Sequence, residues 1–209
     1  MQINRNFDNL VPNYLFAEVA SRTNKYMQEH PDKKVIKLGI GDVTLPLAPV
    51  VIEAMKKGAE DLAHKDTFKG YPDYEGYAFL REAISNYYAG FGVTVDANEI
   101  FVSDGAKSDC GNIGDIFGKD NVVLVTDPVY PVYVDSNIMA GRKIVYANSN
   151  RENNFAALPD ENVKADIIYL CSPNNPTGSA YTADEFQQWV DAARNVNEDI
   201  KIALKADAS

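Results

Sequence analysis

Short apolar runs alternate with stretches of helical periodicity along this chain. The runs typical of buried strands are 35–38, 100–103, 122–125, 143–146 and 166–171, and a further run at 200–204 is compatible with one more strand. Apolar residues recur at helical spacing over 12–29, 48–63, 76–90, 132–140 and 182–194. Strands that alternate with helices favour βαβ units. The pattern therefore predicts an α/β fold with a mainly parallel sheet and flanking helices.

The charge and the sparse metal ligands exclude several classes of function. The 209 residues include 20 basic and 30 acidic side chains, a formal net charge of -10, which disfavours nucleic acid and anionic membranes as partners. No apolar run approaches the roughly 18 residues that span a bilayer, and the start has no apolar signal core, so a cytoplasmic protein is expected. Cys110 and Cys171 are expected to be reduced, buried thiols. The two histidines, His30 and His64, form no Cys/His cluster, so no metal site is predicted.

The most informative segment is 172–178, with the sequence Ser-Pro-Asn-Asn-Pro-Thr-Gly. It follows the predicted strand 166–171 directly and precedes a capping box at 182–185 that opens a helix. An Asn between two prolines at the carboxyl end of a strand stands where α/β sheets bind ligands. Taken alone, the segment is equally compatible with an ordinary turn rich in Asn, Pro and Gly.

A second segment, 103–109, leads from the predicted strand 100–103 into a helix. The apolar face of this helix is predicted to include Cys110, Ile113 and Phe117. Gly105 permits a tight turn, after which the first helical amides, those of Ala106 and Lys107, would face outward. Such a helix start attracts phosphate. A capped helix without a ligand is the plainer alternative.

Tyrosines mark two further segments. Tyr130 lies in 127–133, just beyond the predicted strand 122–125, where an aromatic ring could stack on a flat ligand. Tyr71 lies in the aromatic loop 70–77, where its hydroxyl could reach a phosphate or close a subunit interface. In isolation, both are ordinary core or loop tyrosines.

Two glycine-containing segments do not match the nucleotide-binding motifs that they resemble. Segment 114–120 has one spacer residue too few for a P-loop, and Asp120 stands where Ser or Thr must bind magnesium. The sequence Gly-Ile-Gly at 39–41 lacks the third glycine of a dinucleotide fingerprint, since Thr44 occupies that place. A nucleotide-dependent kinase and a dehydrogenase therefore lose most of their support.

The four segments, in this order and at the ends of successive strands, resemble the class I/II aminotransferases of the pyridoxal-phosphate fold type I. Segments 37–44, 103–109 and 127–135 resemble in particular the members that act on LL-2,6-diaminopimelate. The resemblance covers about residues 3–193. It implies pyridoxal 5'-phosphate as cofactor and a homodimer. It also implies that 1–45 is an amino-terminal arm of a small domain and that 46–209 is an incomplete large domain.

The resemblance assigns roles to individual residues. The backbone amides of Ala106 and Lys107 would hold the cofactor phosphate, and Tyr130 would stack on the pyridine ring. Asn175 would hydrogen-bond the cofactor's 3'-oxygen. Tyr71 would reach the phosphate bound by the neighbouring subunit.

Substrate contacts follow from the same resemblance. Tyr14 and Gly41 would face the substrate together with Tyr130 and Asn175, and the Lys107 side chain would meet its distal carboxylate. The implied reaction passes an amino group between LL-2,6-diaminopimelate and 2-oxoglutarate, in lysine biosynthesis.

The family also supplies, downstream of Asn-Pro-Thr-Gly, a lysine that binds the cofactor covalently and an acid at its ring nitrogen. Lys201 and Lys205 lack the Ser-rich setting of that lysine, and Asp207 is a weak match for the acid. No catalytic residue is therefore assigned within 1–209. The chain is expected to be the amino-terminal part of a longer enzyme and to be inactive alone. The alternatives are another class I aminotransferase, acting on aspartate, alanine or an aromatic amino acid, and an inactive remnant that binds phosphate or a partner chain.

Overall fold

The computed structural model describes residues 1–11, 15–38 and 44–196. The chain divides into two compact units, one of Met1–Val11 with Ser103–Ser209 and the other of Pro12–Val102. The functional division into an arm, 1–45, and a large domain, 46–209, stays a prediction.

The unit Pro12–Val102 is helical in its described part. Its helices are α1 (Leu15–Glu29), α2 (Pro49–Asp61) and α3 (Ala78–Ala89). They agree with the predicted helices to within three residues at each described end. A capping box at Asp96 opens a short 3₁₀ turn, Ala97–Glu99, after α3.

The described residues of the other unit form a three-stranded sheet. Its strands are β1 (Val122–Asp127), β2 (Lys143–Asn148) and β3 (Ile167–Tyr169). The order is β2-β1-β3 and both pairings are parallel, with Val123 opposite Ile144 on one side and Ile167 on the other. The predicted parallel sheet is confirmed.

In the described part of the chain, three helices flank this sheet. They are α4 (Ala106–Asn112), α5 (Pro131–Ala140) and α6 (Ala183–Val196). Proline opens α5, and Gly141 ends it in the left-handed conformation (φ 77°), which glycine adopts at little cost.

Side chains of β1 alternate between two apolar clusters. Val123 and Val125 are 0 % exposed and pack with Tyr133 of α5. Leu124, 4 % exposed, packs instead with Trp189 of α6. Successive residues of a strand point to opposite faces, so α5 and α6 cover opposite faces of the sheet. Each fully buried aliphatic side chain contributes about 1.5–3 kcal/mol to folding.

Two predicted strands are wrong. Residues 35–38 and 100–103 are irregular, and Leu38 and Phe101 are largely exposed. A strand exists only when a neighbour pairs with it, and here the amide of Val102 donates to the Glu75 carbonyl at 3.0 Å without a ladder of described residues continuing from it. The possible strand 200–204 lies outside the described residues.

The predicted helix after 103–109 is shorter than expected. Helix α4 ends at Asn112 and a 3₁₀ turn, Ile113–Ile116, follows. Of the predicted apolar face only Cys110 is buried, while Ile113 is exposed. Glycines at 111 and 114 weaken α-helix formation in this stretch, which explains the early end.

The carbonyl of Ala157 fixes helix α6 and the chain that leads into it. It accepts hydrogen bonds from the Tyr181 hydroxyl at 2.9 Å and from Trp189 Nε1 at 3.1 Å. The predicted capping box at 182–185 is confirmed, because the Glu185 carboxylate accepts from the Thr182 amide (2.7 Å) and Thr182 Oγ1 accepts from the Glu185 amide (3.3 Å). The segment 172–181 is therefore held firmly at its carboxyl end.

This anchor predicts a loss of stability at high pH. Burial, and secondarily the Glu185 carboxylate, raises the pKa of Tyr181 to about 12 from its ordinary value of 10.0. Between these two values the unfolded chain loses a proton that the folded chain keeps, so the free energy of unfolding falls as the pH rises from about 10 to about 12. We expect Tyr181→Phe, measured by urea unfolding, to be about 0.5–1.5 kcal/mol less stable at neutral pH and to show a shallower alkaline fall.

Tyr146→Phe is the matched control, since Tyr146 lies in β2 with its ring half exposed. Its alkaline fall should be that of the unaltered chain. Identical alkaline slopes for Tyr181→Phe and the unaltered chain would contradict the role of this hydroxyl.

Candidate functional site

The carboxyl ends of β1 and β3 lie side by side because the strands are neighbours and parallel. The chain leaves β1 towards α5 on one face, and leaves β3 towards α6 on the other. The gap between two such strands is the topological switch point, where α/β sheets bind ligands. The loops at this gap are 128–130, which we call the β1 loop, and 170–181, which we call the β3 loop. These are the loops in which the sequence places Tyr130 and Asn175.

Asn174 joins the two loops. Its Nδ2 donates to the Pro128 carbonyl at 3.1 Å and to Thr177 Oγ1 at 2.9 Å, and the residue is only 7 % exposed. Its backbone closes the loop, since the amide of Asn174 donates to the Ser179 carbonyl (2.7 Å) and the amide of Gly178 donates to the Asn174 carbonyl (2.6 Å). Sequence reasoning missed this residue. The only signal was the Asn doublet, which does not tell which Asn faces inward.

Asn175 is exposed, in contrast to its buried neighbour. The closed turn from 174 to 179 carries it on a backbone that is fixed on both sides. Asn175 is therefore an exposed residue on a braced loop that follows β3. This placement agrees with a ligand-binding role, which the structure leaves as a prediction.

Tyr130 is half-buried at the end of the β1 loop. Its ring lies edge-on to Tyr133, with centroids 5.9 Å apart and planes at 82°, and Tyr133 stacks in turn on Tyr169 at 5.0 Å. Tyr130 also packs against the cluster that contains Cys110 and Cys171. An aromatic ring supported in this way keeps its orientation.

The first turn of α4 contains Ala106 and Lys107. Helical bonding begins at Gly105, whose carbonyl accepts from the amides of Ser108 (3.1 Å) and Asp109 (3.4 Å). Gly105 has φ 140°, and a Cβ there would meet nothing within 4 Å, so only the backbone conformation requires glycine. Lys107 is exposed.

Cys110 links α4 to the gap between β1 and β3. It is buried in the apolar cluster that Cys171 also enters and against which Tyr130 packs. Both cysteines are free thiols, as expected. The three segments that the sequence singled out in this unit are thus anchored on a single cluster.

Arg142 fixes the far end of α4. Its guanidinium donates to the carbonyls of Phe117 (2.7 Å), Gly118 (3.1 Å) and Gly114, and to Asn137 Oδ1 (3.0 Å). These carbonyls lie within and just after the 3₁₀ turn that follows α4. One side chain therefore ties the α4 segment to α5 and β2.

Replacing the Arg142 guanidinium by an ammonium should loosen the α4 segment. Lys has one ammonium in place of the planar guanidinium and cannot bond several diverging carbonyls at once. We expect Arg142→Lys to lower the free energy of unfolding by about 2 kcal/mol in urea titrations. Arg151→Lys, at an exposed arginine of the 3₁₀ turn Arg151–Asn153, is the control and should change it by less than about 0.5 kcal/mol. Equal changes in the free energy of unfolding for the two substitutions would contradict the role of Arg142 in tying the α4 segment to α5 and β2.

The remaining predicted site residues lie in the other compact unit or outside the described residues. Tyr71 belongs to the unit Pro12–Val102, where it and Tyr74 are fully exposed, and Tyr77 donates its hydroxyl to the Gly70 carbonyl of the same loop. Tyr14 and Gly41 lie outside the described residues, as do the three tail candidates Lys201, Lys205 and Asp207. Within the described ranges, no helix is both long and apolar enough to cross a bilayer.

Comparison with known proteins identifies the family. The family model for class I and II aminotransferases matches residues 33–197, most of the chain. The chain belongs to this family. The predicted resemblance is confirmed.

Individual relatives give a more specific similarity than the family model does. The LL-diaminopimelate aminotransferase of Parabacteroides distasonis is 53% identical over 203 residues, which cover 91% of this chain and 49% of that protein. The enzyme of the same name from Lachnospira eligens is 52% identical over 209 residues, covering 93% and 51%. The solved L,L-diaminopimelate aminotransferase from Chlamydomonas reinhardtii superposes with a TM-score of 0.81 at 40% identity, covering 93% of this chain and 50% of that one. The chain spans about half the length of the curated relatives it matches, and its predicted fold class is confirmed.

Proposed function

We propose that these residues supply the cofactor-binding part of a pyridoxal-phosphate-dependent transaminase. The reaction proposed for the whole enzyme transfers an amino group between LL-2,6-diaminopimelate and 2-oxoglutarate, in lysine biosynthesis. The observation that carries the proposal is the identity of about one half, over nine-tenths of this chain, with proteins named LL-diaminopimelate aminotransferase.

The groups at the gap between β1 and β3 fit the cofactor. A planar anion with a phosphate needs an aromatic face, a hydrogen-bond donor and a helix start. Tyr130 offers a half-buried ring, and Asn175 offers an exposed amide on a braced loop. Helix α4 begins on the segment anchored to the same cluster. When bound, pyridoxal phosphate supplies an electron sink for charge that develops on the substrate.

The roles proposed for this chain are binding and orientation. Tyr130 stacks on one face of the ring, and Asn175 Nδ2 donates to the 3'-oxygen. The amides of Ala106 and Lys107, in the first turn of α4, hold the phosphate. The Lys107 ammonium is proposed to pair with the distal carboxylate of the substrate, a charge pair that selects dicarboxylic substrates.

Three further contacts complete the proposal. Tyr14 and Gly41 face the substrate, and Tyr71 reaches the phosphate bound by a second subunit of a homodimer. The full exposure of Tyr71 leaves its hydroxyl available for such a partner. The lysine that moves the substrate's α-proton is not assigned within residues 1–209.

Binding of the cofactor's unreactive analogue, pyridoxine 5'-phosphate, tests the site. This probe keeps the ring, the 3'-oxygen and the phosphate but has no aldehyde, so it cannot react with surface lysines. Removal of a stacked ring costs about 0.5–1.5 kcal/mol, so we expect Tyr130→Ala to bind the probe about tenfold more weakly in equilibrium dialysis. Asn175→Ala should weaken binding about fivefold.

The control is Tyr146→Ala, which removes a half-exposed ring from β2 of the same sheet. It should bind the probe as the unaltered chain does. If Tyr130→Ala and Tyr146→Ala bind the probe equally well, the ring is not held where we propose.

Activity gives a second test. We expect residues 1–209 alone, with pyridoxal phosphate, LL-diaminopimelate and 2-oxoglutarate, to form glutamate no faster than the free cofactor. No residue among them matches the family's covalent lysine, and loss of a covalent catalyst removes many orders of magnitude in rate. Turnover above the background would contradict this, and Lys205 would be the first residue to substitute.

A chimera tests whether this chain supports activity when a carboxyl-terminal half is present. It joins residues 1–193 of this chain to the carboxyl-terminal half of the Parabacteroides distasonis relative. We expect the chimera to transaminate LL-diaminopimelate and to lose most of that activity on Tyr130→Ala. A folded chimera that prefers aspartate, alanine or an aromatic amino acid would favour another class I aminotransferase.

A further inference from the structure

We propose that Asn174 is a positioning residue that sets the place of Tyr130 relative to Asn175. The inference rests on the proposed function only in giving those two residues a cofactor to hold. The coupling between their loops is a property of the chain itself. It can therefore be measured without any ligand.

The geometry places one side chain on both loops. Asn174 Nδ2 donates to the Pro128 carbonyl, two residues before Tyr130, and to Thr177 Oγ1, two residues after Asn175. A carbonyl can only accept, so Pro128 fixes which end of the amide faces the β1 loop. The rings of the β1 loop and the turn of the β3 loop are thereby held by one rigid amide group.

The energetics argue for placement over stability. Asn174 Oδ1 is buried and accepts no hydrogen bond from any other residue that the structure describes. An unsatisfied buried acceptor opposes folding by an amount similar to that by which the two hydrogen bonds made by Nδ2 favour it. The two quantities nearly cancel. The amide therefore adds little to the free energy of folding, while it determines the geometry of the two loops.

Amide hydrogen exchange of the ligand-free chain tests the coupling. We expect Asn174→Ala to speed exchange about threefold or more in both loops, at 129–133 and at 174–179, with little change in the midpoint of thermal unfolding. Asn174→Leu keeps about the size of the side chain but removes the donor, and should act alike. Faster exchange at 174–179 with no change at 129–133 in both variants would overturn the proposal.

Two further variants separate coupling from loss of any loop contact. Thr177→Val removes the acceptor within the β3 loop and leaves the bond to Pro128, so exchange should rise at 174–179 alone. Asn153→Ala removes a matched amide whose Nδ2 donates to the Asn148 carbonyl at 2.8 Å, at the end of β2. It should affect only the residues around 148–155. A rise at 129–133 in either variant would show general loosening of the sheet edge and would overturn the proposal.

Binding of pyridoxine 5'-phosphate separates this inference from the proposed function. As a single substitution, Asn174→Ala should weaken binding about fivefold. In a chain that already carries Tyr130→Ala, it should weaken binding less than twofold, because the ring that Asn174 positions is then absent. Additive effects would overturn the positioning role. If the unaltered chain does not bind the probe, the proposed site fails, and the exchange data still decide whether Asn174 couples the loops.

Discussion

The structure depends on β1 having a parallel neighbour on each side. Helices lie on both faces of a parallel sheet, so a central strand needs apolar side chains on both of its faces. The sequence of β1 meets this demand with Val123 and Val125 towards α5 and Leu124 towards α6. With helices on both faces, the chain leaves β1 and β3 in opposite directions, and a gap opens between their carboxyl ends. The candidate site follows from this pairing.

Hydrogen bonds between buried polar groups at that edge fix the positions of the loops around the gap. Asn174 bonds the loop after β3 to the carbonyl of Pro128 in the loop after β1. Beside it, the amide of Ser149 donates to the Asp127 carbonyl (2.9 Å), and Ser149 Oγ accepts from the amide of Ala157 (3.3 Å), which extends the bonding to the chain after β2. The same Ala157 anchors α6 through its carbonyl. The loops that carry Tyr130 and Asn175 are thus held by hydrogen bonds within the fold.

Much of this arrangement was predictable from local patterns, and the failures have physical causes. The apolar run 122–125 identifies β1 because both faces of that strand are buried. The runs 35–38 and 100–103 look alike in sequence but are irregular, since pairing depends on neighbours that a local pattern does not contain. Tyr130 and Asn175 lie in the segments that follow β1 and β3, and the parallel pairing of these two strands brings both segments to one edge of the sheet. The inward turn of Asn174 depends on a contact 46 residues away, with Pro128, and no local pattern reports it.

A crystal structure of this chain with pyridoxine 5'-phosphate tests the central claim most directly. The account predicts the pyridine ring against Tyr130, the 3'-oxygen within hydrogen-bond reach of Asn175 Nδ2, and the phosphate at the first turn of α4. Asn174 should keep its bond to the Pro128 carbonyl in that complex. A ligand bound away from the gap between β1 and β3, or Tyr130 and Asn175 too far apart to contact one ring, would contradict it.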